Sequence, residues 1–220
     1  THDHWDHRAN LPLLRERLAN ITVVAHRNSS IDGVTHPLEG GETLELGGLT
    51  IQSIETPGHS AHRDELCYFL PDYRLLFSGD VVQPQGPSYA VVTSHSPVPY
   101  FQFGDDYQRS LERLIRLDAA HIRTGHGDFL GPEQVRQWLR VTLATVQRIE
   151  ALAVTYVERY PTKDAPWIAE LVYDQLVEER HYGIAKGNRR KREIGESGVS
   201  EYEHYDLPGI LWFVQEAQQL

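Results

Sequence analysis

The chain has 220 residues, with 21 Lys and Arg against 31 Asp and Glu and a net charge of −10 at pH 7. A chain of this length forms one domain, or one domain with an appendage, and buries a substantial core. The acidic balance argues against a broad nucleic-acid interface. The single cysteine, Cys67, excludes an intrachain disulfide framework. No stretch reaches the roughly 18 apolar residues of a membrane span. We therefore predict a cytoplasmic protein that binds neither nucleic acid nor membranes.

The first seven residues contain four side chains that could bind a metal: His2, His4, Asp6 and His7. Three imidazoles and a carboxylate this close together compete for few hydrogen-bond partners, so the cluster is costly to pack without a cation. Imidazole nitrogen and carboxylate oxygen suit zinc, iron or manganese. Taken alone, the segment is also compatible with an exposed His-rich stretch or an expression tag.

Strands and helices alternate up to about residue 130. A helix is predicted where Pro12 stands in a first turn, and a tight hairpin is predicted at Gly47-Gly48. The predicted helices are 10–18 and 107–117, and the predicted strands are 21–25, 42–46, 49–55, 66–70, 74–77 and 121–123. Residues 83–105 form a loop rich in proline, glycine and aromatic residues, and a loop of this length tends to be functional.

Beyond Pro132 the sequence predicts helices only. Residues 133–160 form one long helix or a broken pair, and the other predicted helices are 165–181 and 207–220. The segment 183–199 is polar and basic. We therefore divide the chain into residues 1–131, in which strands and helices alternate, and residues 132–220, a helical region.

Three glycine-containing motifs each follow a predicted strand. They are Thr56-Pro57-Gly58-His59-Ser60, Ser78-Gly79-Asp80 and Thr124-Gly125-His126-Gly127. Glycine allows a sharp turn that presents the next side chain at the end of a strand, where functional sites are often built. The motifs therefore add His59, Asp80 and His126 to the candidate site.

The ordered set His-x-His-x-Asp-His, His, Asp and His resembles the metallo-β-lactamase fold superfamily. The opening is most similar to its glyoxalase II branch, including Trp5 between His4 and Asp6, and residues 106–114 are similar to the same group. The resemblance implies an α+β fold, a four-layer αββα sandwich with a C-terminal helical region. In that family a first sheet precedes the first ligand cluster. It is missing here, so we expect an upstream segment or a separate chain to complete the fold.

The resemblance also implies a site with two divalent metal ions, zinc in the first place, with iron or manganese as alternatives. His2, His4 and His59 would bind the first ion, Asp6, His7 and His126 would bind the second, and Asp80 would bridge the two. Such a pair lowers the pKa of a bridging water, which gives a hydroxide nucleophile at neutral pH, and polarises a carbonyl. Asp6, which would orient the nucleophile, and Asp80 are therefore the candidate catalytic residues.

The expected activity is hydrolysis of a thioester or another activated ester of a small acyl substrate, such as an acyl group on coenzyme A or glutathione. Residues 132–220 would then cover the metal cleft. Two alternatives stay open: a lactonase of the same fold, and a regulatory or binding protein with vestigial hydrolase activity. A homodimer is also open. The candidate substrate contacts are His62, His95, Tyr100 and Phe103. The basic run 188–192 is either a contact for an anionic carrier or a solvated loop.

The chain departs from the family pattern close to the ligands. Arg8-Ala9-Asn10 follows the first cluster, where the family often has glycines. His62 stands where a glycine is common after His59-Ser60. These departures bear on the substrate more than on the metals.

Overall fold

The computed structural model describes residues 1–18, 20–83, 96–126, 129–180, 183–195 and 198–220. The chain forms two compact units, Thr1–Val82 with Asp105–Leu139 and Gln83–Gly104 with Arg140–Leu220. The functional division predicted at residue 131 stays a prediction. In the described part of the chain, no helix is both long enough and apolar enough to span a bilayer.

The first unit is built on a six-stranded sheet. Two short helices and a parallel strand pair precede it: α1 (Trp5–Arg8), α2 (Leu11–Arg17), β1 (Val24–His26) and β2 (His36–Leu38). The sheet contains β3 (Thr43–Leu46), β4 (Leu49–Glu55), β5 (Leu66–Leu70), β6 (Leu75–Gly79), β7 (His121–Thr124) and β8 (Phe129–Leu130), in that order. Neighbouring strands are antiparallel except β6 and β7, which are parallel. A parallel pair needs a long crossover connection, and α3 (Gly104–Arg116) lies within it.

Packing in the first unit fixes the loops that follow the strands. Cys67, Leu76 and Ile122, from three adjacent strands, are completely buried. The hydroxyl of Tyr107 in α3 donates to the carbonyl of Val81 at 2.7 Å. Another α3 hydroxyl, that of Ser110, donates to the carbonyl of Pro57 at 2.8 Å. The helix therefore supports the loops after β4 and β6.

The second unit is helical. Besides most of α4 (Pro132–Arg159), it contains α5 (Ala165–Glu179), α6 (Ile184–Arg192) and α7 (Leu207–Gln219), the last preceded by a π-helical turn at Tyr202–Asp206. The carboxylate of Asp164 accepts the backbone N–H of Trp167 and caps α5. Gly209 of α7 lies against the ring of Phe101, where a Cβ would be 2.6 Å from Cζ. The predicted α+β class with a C-terminal helical region is confirmed.

The structure corrects several predicted elements. The strand expected at 21–25 is observed at Val24–His26, and of the two alternatives for residues 133–160 the single helix is observed, at Pro132–Arg159. The basic run 188–192, for which a solvated loop was one alternative, lies instead within the helix α6. Close packing explains this helix, because its Gly187 lies so near Val177 of α5 that a Cβ would be 3.0 Å from the valine methyl groups.

The basic residues of α6 bind carboxylates within the second unit. Arg190 is 6% exposed and holds the carboxylate of Asp206 with two nitrogens, at 2.9 and 3.1 Å. A third nitrogen lies 2.6 Å from Glu201. Lys191 contacts Asp174 at 2.6 Å and a further glutamate. Arg190 is therefore not accessible to an anionic carrier.

Candidate metal centre

Four segments of the first unit carry the predicted metal ligands. His2 and His4 precede α1, which contains Asp6 and His7. His59 follows β4, and Asp80 and His126 follow the parallel strands β6 and β7. The backbone N–H of Gly125 donates to the carbonyl of Gly79 at 2.8 Å, so the ends of these two strands stay together.

Glycines are required at two of these turns. Gly58 has a φ of +130°, and a Cβ there would be 2.5 Å from the backbone nitrogen of Tyr107. A Cβ at Gly125 would collide with the carboxylate of Asp80. The turns can therefore present His59 and Asp80 only because no side chain is present at these positions.

The first ligand group consists of His2, His4, His59 and Asp80, whose candidate ligand atoms lie within 4.8 Å of one another. His4 Nδ1 is 2.8 Å from His2 Nε2 and 3.3 Å from His59 Nε2. Asp80 Oδ2 is 3.7 Å from His59 Nε2 and 4.0 Å from His2 Nε2. Three imidazole nitrogens and one carboxylate oxygen thus face a common centre.

The second ligand group consists of Asp6, His7 and His126. His126 Nε2 is 2.9 Å from Asp6 Oδ2 and 3.3 Å from His7 Nε2. Asp80 Oδ2 lies 3.2 Å from the Nε2 atoms of both histidines. Asp80 therefore faces both groups with the same oxygen.

The protonation states suit a cation. Burial lowers the pKa of His2 to about 2, helped by the neighbouring His59, and burial also lowers the pKa of His4. Burial alone would raise the pKa of Asp80, but the hydrogen bond from His7 and the nearby imidazoles hold it below its usual value. His2 and His4 are therefore held as neutral imidazoles, and Asp80 is held as an ionised carboxylate.

The spacing of these atoms also suits metal ions. In a tetrahedral site with bonds of about 2.0–2.1 Å, neighbouring ligand atoms are about 3.3 Å apart. The separations of 3.2–3.3 Å around His7, His126 and Asp80 match this value. The residues present fit divalent metal ions, and the seven predicted ligands form two neighbouring groups.

The predicted substrate contacts do not all belong to the same unit. The side chain of His62 is 55% exposed and lies beside Asp3 in the first unit. Tyr100 and Phe103 lie in the second unit, where they pack edge-on against Tyr205 and Trp212. His95 lies outside the described residues. Contact of these side chains with a substrate stays a prediction.

Sequence reasoning missed the buried carboxylates beside the ligands. Asp3, between two predicted ligands, is buried, and so are Asp64 and Glu65 after the His59 loop. The hydroxyl of Ser60 donates to Asp64, and its backbone N–H donates to Glu65. Acidic residues in loops are usually exposed, so nothing in the sequence indicated that Asp64 and Glu65 are buried. For Asp3 the available signal was its position between two predicted ligands.

Replacing Glu65 with glutamine is expected to stabilise the metal-depleted protein much more at pH 8 than at pH 5. Burial raises the pKa of Glu65 to about 7, above the value of an unfolded chain. Between these two pKa values the folded state holds the extra proton, so stability falls as pH rises. Glutamine keeps an acceptor for Ser60 and removes the charge, which corresponds to about 1–3 kcal/mol at pH 8.

Urea unfolding at both pH values measures the effect. Glu16→Gln, at an exposed position, is the matched control and should change the free energy of unfolding equally little at either pH. A Glu65→Gln effect that is the same at pH 5 and pH 8 would contradict the raised pKa.

Comparison with known proteins agrees with this geometry. The family profile described as "Metallo-beta-lactamase superfamily" matches residues 1–126. The chain is 24% identical to the "Beta-lactamase-like protein 2 homolog" of Caenorhabditis elegans, over 88% of this chain and 72% of that protein. It is 36% identical to a hydroxyacylglutathione hydrolase of Rhizobium meliloti strain 1021, over 57% of this chain and 46% of that protein.

The fold agrees as well. A metallo-beta-lactamase from Pontibacter korlensis superposes with a TM-score of 0.50 at 20% identity, over 67% of this chain and 66% of that chain. The chain spans about half the length of several curated relatives that it matches. Because the matched residues 1–126 include all seven side chains that converge on the centre, the chain belongs to the metallo-beta-lactamase superfamily, whose members generally bind divalent metal ions.

Proposed function

We propose that this protein is a dinuclear metal-dependent hydrolase that cleaves a thioester or another activated ester of a small acyl group. One observation carries the dinuclear part of the proposal. The Oδ2 atom of Asp80 lies within 4.0 Å of a nitrogen from two histidines of each ligand group, His2 and His59 of the first and His7 and His126 of the second. A single oxygen shared in this way suits a bridging ligand.

In this proposal the two groups divide the ions between them. His2, His4 and His59 would bind one ion, Asp6, His7 and His126 would bind the other, and Asp80 would bind both. We propose zinc, with iron or manganese as alternatives, because nitrogen and oxygen ligands suit all three. Bound divalent ions would supply Lewis-acid polarisation of a carbonyl and a lowered pKa of water.

The chain's own residues would orient the reacting water. About a third of the Asp6 side chain is exposed, and its Oδ2 is 2.9 Å from His126 Nε2. A carboxylate at this place accepts a hydrogen bond from water, orients it and holds its proton. A cysteine nucleophile does not fit, because Cys67 is completely buried and burial raises the pKa of its thiol to about 12.

A thioester is the proposed substrate class for two reasons. The segment around Trp5 is similar to the glyoxalase II branch. The Rhizobium meliloti relative is named a hydroxyacylglutathione hydrolase, and an acylglutathione carries its acyl group on sulfur. The proposed partner is thus a small acyl substrate on a thiol carrier such as glutathione or coenzyme A.

The test combines metal analysis with substrate screening. We expect about two ions per chain and a higher kcat/KM for acyl-coenzyme A and acylglutathione thioesters than for matched oxoesters and lactones. Hydrolysis of lactones alone would favour the lactonase alternative. A protein with both ions and no hydrolysis of any ester would favour the regulatory or binding alternative. The native mass of the same sample tests the expectation of a homodimer or of a second chain.

A further inference from the structure

Asp3 lies at the centre of a hydrogen-bonded network beside the proposed metal centre. It stands between His2 and His4 and is 7% exposed. Its Oδ2 accepts the backbone N–H of Ser30 at 2.8 Å and also the hydroxyl of that residue. Its Oδ1 lies 2.7 Å from Nε of Arg8. Nε of Arg8 donates its hydrogen bond to the Asp3 carbonyl at 3.1 Å, and among the described residues Oδ1 accepts no hydrogen bond, so Arg8 and the carboxylate form an ion pair. Asp3 is not itself a predicted metal ligand.

The partners of Asp3 come from three different segments. Arg8 ends α1, the helix that contains Asp6 and His7. Ser30 lies in the connection between β1 and β2. His62 lies in the loop that carries His59, and its Nδ1 is 3.6 Å from Asp3 Oδ2. One carboxylate thus contacts α1, the β1–β2 connection and the His59 loop.

The network matters because the segment before α1 has no regular secondary structure. Its backbone is held by the bond from Leu66 N–H to the Thr1 carbonyl, at 2.8 Å, and by the contacts of Asp3. A buried carboxylate is costly unless it is paired and hydrogen-bonded, and charge-assisted hydrogen bonds are the stronger kind. Asp3 thus has one favourable position, which also fixes His2 and His4 on either side of it.

We propose that Asp3 is a positioning residue for the metal ion bound by His2, His4 and His59. It holds the ligand segment against α1, the β1–β2 connection and the His59 loop. The proposal rests on the metal-dependent function proposed above. Residues that orient metal ligands typically change metal affinity by about 10–100-fold when they are replaced.

The test is Asp3→Asn in the full chain. Asparagine keeps the size of the side chain and removes its charge, so it weakens the contacts with Arg8 and Ser30. Zinc affinity, measured by competition with a chromophoric chelator, should fall by about 10–100-fold for one of the two ions and much less for the other. The absorption bands of the cobalt-substituted protein should shift, because they report ligand geometry. Ser30→Ala should change the same ion in the same direction, and should add little to Asp3→Asn because both act through one contact.

Asp32→Asn is the matched control, an exposed aspartate in the same connection, and should leave affinity and spectrum unchanged. If the wild type binds two ions and Asp3→Asn has the same affinities and cobalt spectrum, the positioning role is excluded while the proposed function stands. Lower stability of the metal-free Asp3→Asn protein with unchanged affinities would also exclude it, since the role would be structural only. A wild type that binds no ion would overturn the proposed function itself.

Discussion

Replacing Asp80 with alanine is expected to remove bound metal and hydrolytic activity together. The Oδ2 atom of Asp80 lies 3.2 Å from His7 Nε2 and from His126 Nε2, and 3.7 Å from His59 Nε2. Its loss removes a ligand from both groups at once. Lewis-acid stabilisation is worth several kcal/mol in the transition state, so kcat/KM should fall by about 10³-fold or more. Ions per chain and kcat/KM should be measured on the same samples.

Two further variants make the Asp80 result specific. Asp72→Ala, at an exposed position, should retain both ions and full activity. Asp80→Asn keeps an oxygen ligand without its charge and should lie between the wild type and Asp80→Ala in metal content. Full activity in Asp80→Ala would contradict a dinuclear centre. Loss of one ion only, with the other bound as tightly as before, would show that Asp80 does not bridge.

Replacing Arg190 with alanine is expected to lower the free energy of unfolding by about 3–5 kcal/mol. The carboxylate of Asp206 is completely buried, and Arg190 contacts it through two nitrogens. Burial already raises the pKa of Asp206 although the guanidinium opposes it. Without Arg190, Asp206 must stay charged without its cation or take up a proton, and both are costly. Urea unfolding monitored by the fluorescence of Trp167 and Trp212, which lie in the same unit, measures the loss.

Another arginine of the same basic run provides the control for Arg190→Ala. Arg192→Ala, two residues further along α6 and exposed, should change the free energy of unfolding by less than about 0.5 kcal/mol. The double variant Arg190→Met with Asp206→Leu should recover much of the loss, because removing both charges leaves none unpaired. Equal effects of Arg190→Ala and Arg192→Ala would contradict the structural role of the ion pair.

The ligand set could be predicted from the sequence because its signals are local. His59, Asp80 and His126 each follow a strand and a glycine, and the positive φ of Gly58 and Gly79 shows why glycine is needed there. The hairpin at Gly47-Gly48 was predicted for the same reason and is observed between β3 and β4. Short-range patterns of this kind depend on backbone geometry, which neighbouring residues decide.

Features that depend on distant residues could not be predicted. The α6 helix is stabilised by an ion pair between Arg190 and Asp206, whose side chains meet only after the chain has turned back. Asp3 is engaged by Ser30, 27 positions further along the chain. Neither pairing leaves a periodic pattern, and a buried acid cannot be distinguished from an exposed one until its partners are known. The parallel pairing of β6 and β7 is likewise decided by tertiary structure.

Because of this parallel pairing, the distance between Asp80 and His126 does not depend on the length of the chain that connects them. Asp80 and His126 are held side by side by the hydrogen bonds of β6 and β7. Loop closure depends only weakly on loop length, so the number of residues in the crossover contributes little to the spacing of the two side chains.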